Sequence, residues 1–125
     1  MSHLSMKNKK LSLASRLKSI GHASDGIYYL VKNEVNAKVH FAATVAVIII
    51  GIARHINKTN WLALAIVIGL VWICEAFNTC LELLCDHVCD QKWHPQIKII
   101  KDIAAAAVWI SAIISIITGI IVFLC

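Results

Sequence analysis

Charge is scarce in this sequence, and what there is avoids its long middle. Only 15% of the 125 residues are Asp, Glu, Lys or Arg, while 59% are hydrophobic; in a soluble domain roughly a quarter of residues are charged. No Lys or Arg stands between Lys58 and Lys92. An ordinary soluble domain is excluded. A nucleic-acid surface is excluded too, because seven of the twelve basic residues fall at or before Lys38 and form no patch with the rest. The chain also has no glycine-rich phosphate loop, so no nucleotide site of the Walker or protein-kinase kind is present. Its first residues, MSHLSMKNKKLSLASRLK, are basic but have neither the continuous apolar core nor the small-residue cleavage site of a secretory leader. They are expected to stay on the protein. Of the five cysteines, Cys74, Cys80, Cys85 and Cys89 fall on one helix or at its end, where reducing conditions argue against disulfides. Cys85, His87 and Cys89 crowd one helix too closely for all three to point at one metal ion.

What is present reads as a single all-α membrane domain over residues 1–125. A flexible basic tail (1–10) leads into a helix over 11–32, where Leu13, Leu17, Ile20, Ile27 and Val31 recur at helical spacing while Arg16, Lys18, His22, Asp25 and Lys32 take other faces. Such a helix is too polar to span and is expected to lie on the membrane surface. Three transmembrane helices follow at 35–54, 61–89 and 99–125, with Pro95 marking the second turn. Seven Lys/Arg up to Lys38 and three at Lys92, Lys98 and Lys101, against two in the first loop, put the N-terminus and second loop in the cytoplasm and the C-terminus outside. A three-helix bundle encloses little by itself, which points to a homo-oligomer with shared sites.

Glu75, Asn78, Glu82 and Asp86 stand at relative positions 0, 3, 7 and 11, within an arc of roughly 80° at about 100° per residue. Glu75 lies about 16 Å along the axis from Asp86. Placing an acid that deep costs on the order of 2.5–3.5 kcal/mol. That cost suggests a function, and with no basic partner nearby a metal-bound phosphate answers these acids better than anything in the chain. Glu34, Glu82 and their neighbours are the hard oxygen donors Mg²⁺ takes while bridging phosphates. Lys98, Lys101, Asp102 and Ala105 share another face, at the start of the third span, where two ammonium groups can hold phosphate. The same lysines also suit an ordinary snorkelling role.

The string Glu75-x-x-Asn78-Thr79-x-x-Glu82-x-x-x-Asp86, followed by Lys101-Asp102-x-x-Ala105-Ala106, resembles the small prokaryotic membrane diacylglycerol kinases and the similar undecaprenol kinases. The resemblance runs from about Arg16 to the end, and Glu34-x-Asn36-x-x-x-His40 and Trp93-His94-Pro95 look most like the undecaprenol-kinase branch. It implies a homotrimeric bundle in the bacterial cytoplasmic (inner) membrane that uses ATP and Mg²⁺ to phosphorylate a lipid hydroxyl. Diacylglycerol comes first as acceptor and undecaprenol as the alternative. By the same resemblance Glu75 would be the general base and Glu34 and Glu82 the metal ligands. Nucleotide would be met by Arg16, His22, Glu34, Glu82, His94, Lys101 and Asp102, with Asp102 holding Lys101 in place. Lipid would be met by Glu75, Asn78 and Ala105, with Asp86 and Lys98 in support. Asp25 and Val35 depart from residues relatives commonly carry. A different class, a proton- or cation-conducting oligomer, needs ionisable groups in the other half of the second span, and Leu62 to Ile73 offers none.

Overall fold

The computed structural model describes residues 12–125; the expected basic tail, and the first residue of the expected surface helix, lie outside the described residues. Four helices follow in order: α1 (Leu13–Asn33), α2 (Val35–Ala53), α3 (Lys58–Val88) and α4 (Pro95–Leu124). The described residues are all-helical, and α2, α3 and α4 are each long and apolar enough to cross a membrane. This is a membrane protein.

Local chemistry sets the helix ends. Ser12 caps α1 by accepting from the Ser15 amide, and Asn57 caps α3 by accepting from Asn60. His94 caps α4, its Nδ1 accepting from the Gln96 amide at 3.2 Å, and Pro95 fills the first helical position, where a missing N–H costs nothing. Pro95 therefore opens α4 instead of forming the turn, and the helix begins four residues before the expected span. The turn itself is made by Asp90 and Gln91, both with left-handed φ (53° and 61°). Between α1 and α2 a single extended residue, Glu34 (φ −101°, ψ 122°), breaks the helix.

α3 is the spine. It packs most extensively on α4, where Leu64, Val67 and Val71 are buried on one side and Ala104, Val108 and Ser111 on the other. Small residues on α4 let the two backbones approach, and Ser115 donates across the interface to the Val67 carbonyl at 3.2 Å. α2 leans more lightly on α3. It is held by the Trp72 indole, which donates to Thr44 Oγ1 at 3.1 Å, and by the close seat of Gly51 against the Trp61 ring. Outward faces are strongly apolar, with Ile49, Ile66, Phe77, Ile103, Trp109 and Ile117 among many exposed large side chains. In lipid such faces carry no hydrophobic penalty. α1 packs on α2 and buries only Leu30; Leu13, Leu17, Ile20 and Ile27 are exposed.

Candidate active site

Helical periodicity places Glu75, Asn78, Thr79 and Glu82 on successive turns of α3 facing inward. Glu75 is 0% exposed and Asn78 and Thr79 are also buried. Asn78 Nδ2 donates to Glu82 Oε1 at 3.2 Å, tying the deep part of the row to its shallower part. Both Glu75 carboxylate oxygens, Asn78 Oδ1 and Thr79 Oγ1 have no hydrogen-bond partner among the described residues. Buried polar atoms are nearly always satisfied, so four orphans on two adjacent turns of α3 mark a place where a polar ligand belongs.

Two further carboxylates belong to this neighbourhood. Glu34 and Glu82 both lie within electrostatic reach of Glu75. Glu34 owes its position to the break between α1 and α2, and its side chain makes no capping hydrogen bond there. Among the described residues no three His, Cys, Asp or Glu side chains come together as a metal cage. Two half-buried carboxylates do fit Mg²⁺, which is typically held by one or two carboxylates plus phosphate oxygens and water.

At the end of the bundle where α3 meets α4, a polar recess of about 300 Å³ gathers Asp86, Lys92, His94, Lys98, Lys101 and Asp102. Here the expected pairing is corrected. Asp102 does not hold Lys101; Lys101 Nζ donates to Asp86 at 2.5 Å, and Asp102 accepts from Lys98 at 2.6 Å. Adjacent residues point about 100° apart on a helix, whereas residues four apart share a face. Lys101 is thereby turned toward α3. Arg16 and His22 are exposed on α1 and line none of the grooves described, so this chain does not bring them to the acids. Ala105 is half-buried on α4, one residue from buried Ala104.

An apolar groove of about 280 Å³ runs between α2, α3 and α4, from Val39 and His40 at one end toward Val47 and Gly119. His40 Nε2 lies 3.6 Å from Glu75 Oε2, so the groove's polar head adjoins the buried carboxylate. The sequence reading gave His40 and Thr79 no role. Thr79 follows Glu75 by one turn, which was a sufficient signal. His40 is the one ionisable residue between Lys38 and Arg54, and an ionisable residue in a span is by default functional.

Acids descending into an apolar bundle, a lysine-lined recess at its edge and an apolar groove at its side are the parts that a membrane-embedded phosphotransferase acting on a lipid alcohol needs. A family model described as prokaryotic diacylglycerol kinase matches residues 21–123. The chain is 36% identical over 118 residues to an undecaprenol kinase of Bacillus subtilis, covering 94% of this chain and 95% of that protein. It is also 36% identical over 103 residues to a diacylglycerol kinase of Synechocystis, covering 82% of this chain and 59% of that protein's length. The chain belongs to the prokaryotic diacylglycerol kinase family.

Proposed function

We propose that this protein transfers the γ-phosphate of ATP to the primary hydroxyl of a membrane lipid, with undecaprenol as the acceptor and undecaprenyl phosphate as the product. The observation that carries the reading is Glu75, fully buried and with no hydrogen bond among the described residues, beside the head of an apolar groove. Undecaprenol is placed ahead of diacylglycerol, reversing the order taken from the resemblance, because the undecaprenol kinase aligns over nearly the whole of both chains. Diacylglycerol, giving phosphatidic acid, is the second reading, supported by the partial match to a kinase of that name.

In this mechanism the lipid tail occupies the apolar groove and its hydroxyl reaches Glu75 past His40. Glu75 takes the hydroxyl proton as the new O–P bond forms and the β–γ bridging bond breaks to release ADP. Asn78 and Thr79, whose orphaned oxygens lie on the adjacent turn, orient the hydroxyl or the phosphoryl group, and Ala105 leaves room for the lipid. Glu34 and Glu82 would hold Mg²⁺, which supplies neutralisation of phosphate charge when bound. Lys101, aimed by Asp86, stabilises the transferred group; His94, Lys98 and Asp102 line the recess that receives nucleotide. Arg16 and His22 reach nucleotide only if α1 lies along the membrane surface as an amphipathic helix. Its exposed apolar face of Leu13, Leu17, Ile20 and Ile27 supports that placement. The broad apolar outer faces and the shallow enclosure of Glu34 and Lys101 support a homotrimer with sites shared between copies. The basic N-terminal segment and second loop support a cytoplasmic N-terminus in the bacterial inner membrane, with the C-terminus outside.

The test is direct. Purified protein in detergent micelles receives labelled ATP, Mg²⁺ and either lipid, and phosphorylated lipid is measured. Faster turnover of undecaprenol is expected. Faster turnover of diacylglycerol transfers the assignment to the second reading, and phosphorylation of neither ends it.

A further inference from the structure

A base that accepts a proton in every turnover must also lose it, and the described residues offer Glu75 one ionisable neighbour in contact. The carboxylate is 0% exposed, and the only ionisable side chain in contact with it among the described residues is His40, at 3.6 Å from Nε2 to Oε2. The His40 side chain is 17% exposed, so it touches both the buried acid and open space. Its ring is framed. The Trp72 indole meets it edge-on with centroids 6.5 Å apart; that indole is tied to Thr44, and Thr44 donates to the His40 carbonyl at 2.7 Å.

His40 also stands between two grooves. On one side is the apolar groove already described; on the other is a smaller groove of about 180 Å³ lined by Asn36, Val39, His40, Val108, Trp109 and Ala112. Asn36 lies one turn nearer the start of α2, the end where Glu34 breaks the chain, and together with His40 it gives this groove the two polar side chains that a water can bridge. Beside His40, α3 presents Glu75 and Trp72, and α4 lines the smaller groove with Val108, Trp109 and Ala112 and the larger one with Ala112, Ser115, Ile116 and Gly119, none of them titratable. Glu34 and Glu82 act on Glu75 from the same end.

We propose that His40 is the proton exit of the site. It takes the proton that Glu75 has removed from the lipid hydroxyl and releases it to water in the Asn36 groove. The inference rests on Glu75 being the base, as proposed above. The steps balance: the Glu75 O–H bond breaks as the His40 Nε2–H bond forms, leaving carboxylate and imidazolium. The imidazolium then gives its proton to water, and both side chains return to their starting state.

Discharge follows phosphoryl transfer, so its loss has a kinetic signature that a packing role does not produce. In the full-length protein in micelles with undecaprenol, labelled ATP and Mg²⁺, His40→Gln preserves size and polarity but cannot relay a proton. It is expected to give a normal first turnover, about one product per site, followed by steady turnover slowed on the order of a hundredfold. KM for ATP should be unchanged. His40→Ala, less conservative, should recover part of the steady rate when imidazole is added. Steady turnover of His40→Gln at the parent's rate overturns the proposal. So does a first turnover as slow as the later ones, which makes His40 a positioning residue for Glu75. A parent protein that phosphorylates no lipid defeats the kinase reading itself, a result distinct from either of these.

Discussion

Replacing Glu75 with Gln keeps the side chain's shape and removes its capacity to accept a proton, so it separates chemistry from architecture. The carboxylate makes no hydrogen bond among the described residues and is wholly enclosed. An amide in its place therefore loses no hydrogen bond, only the 3.6 Å contact of the carboxylate with His40. An acid at mid-helix carries an insertion cost of about 2.5–3.5 kcal/mol. A neutral amide relieves part of that cost, so the variant should be as stable as the parent or more stable by about 1 kcal/mol. Its rate should fall by about 10²–10⁴ for loss of a positioned base, or about 3–5 kcal/mol on the barrier. The assay pairs initial rates of lipid phosphorylation with thermal unfolding of the same micellar preparation. Undiminished phosphorylation by Glu75→Gln refutes the base assignment. Loss of folding together with rate assigns Glu75 to holding the bundle.

Three further outcomes follow from contacts elsewhere. A Cβ at Gly51 would sit 2.7 Å from Trp61 Cη2 and 3.0 Å from Cζ2; Gly51→Ala should cost about 1–3 kcal/mol of stability. It should leave kcat unchanged, since Gly51 is eleven residues, about 16 Å, along α2 from His40. Lys101→Met should lower kcat on the order of a hundredfold, while Lys98→Met, whose ion pair with Asp102 is mostly exposed, should keep kcat near the parent's and show its effect in KM for ATP in the same assay. The Trp72–Thr44 hydrogen bond should register as a coupling of about 0.6 kcal/mol in a double-mutant cycle of Trp72→Phe and Thr44→Val followed by unfolding.

The acid row of α3 was legible in the sequence because one helix orders its residues by a fixed rotation, and Glu75, Asn78 and Glu82 needed nothing beyond that rotation to share a face. Helix starts were legible in principle as well: Asn57 three residues before Asn60, and His94 before Pro95, are capping chemistry written locally. Pairings between helices were not. Whether Lys101 answers Asp102 or Asp86 depends on which face of α4 meets α3, and that is set by Ala104, Val108 and Ser111 packing on the spine. His40 stood out locally as an ionisable residue in a span, but its partner did not, since that is a carboxylate thirty-five residues away.

The direction of the site follows from where its polar groups stop. From Glu75 toward Leu64 the inward face of α3 is apolar, and the groove beside it is apolar as well. From Glu75 toward Asp86 every turn of that face offers oxygen or nitrogen, ending in the lysine-bearing recess. A substrate with a long apolar tail and one hydroxyl is accommodated only with its tail toward the first and its hydroxyl toward the second. A polyphosphate is accommodated only at the second. In the proposed reaction the two therefore meet at the level of Glu75 and Asn78, where buried oxygens lack partners, and the Asn78–Glu82 hydrogen bond joins the lipid side of that meeting to the metal side. Lengthening that link with Glu82→Asp would move the proposed metal ligand away from the hydroxyl, without altering either the groove or the recess.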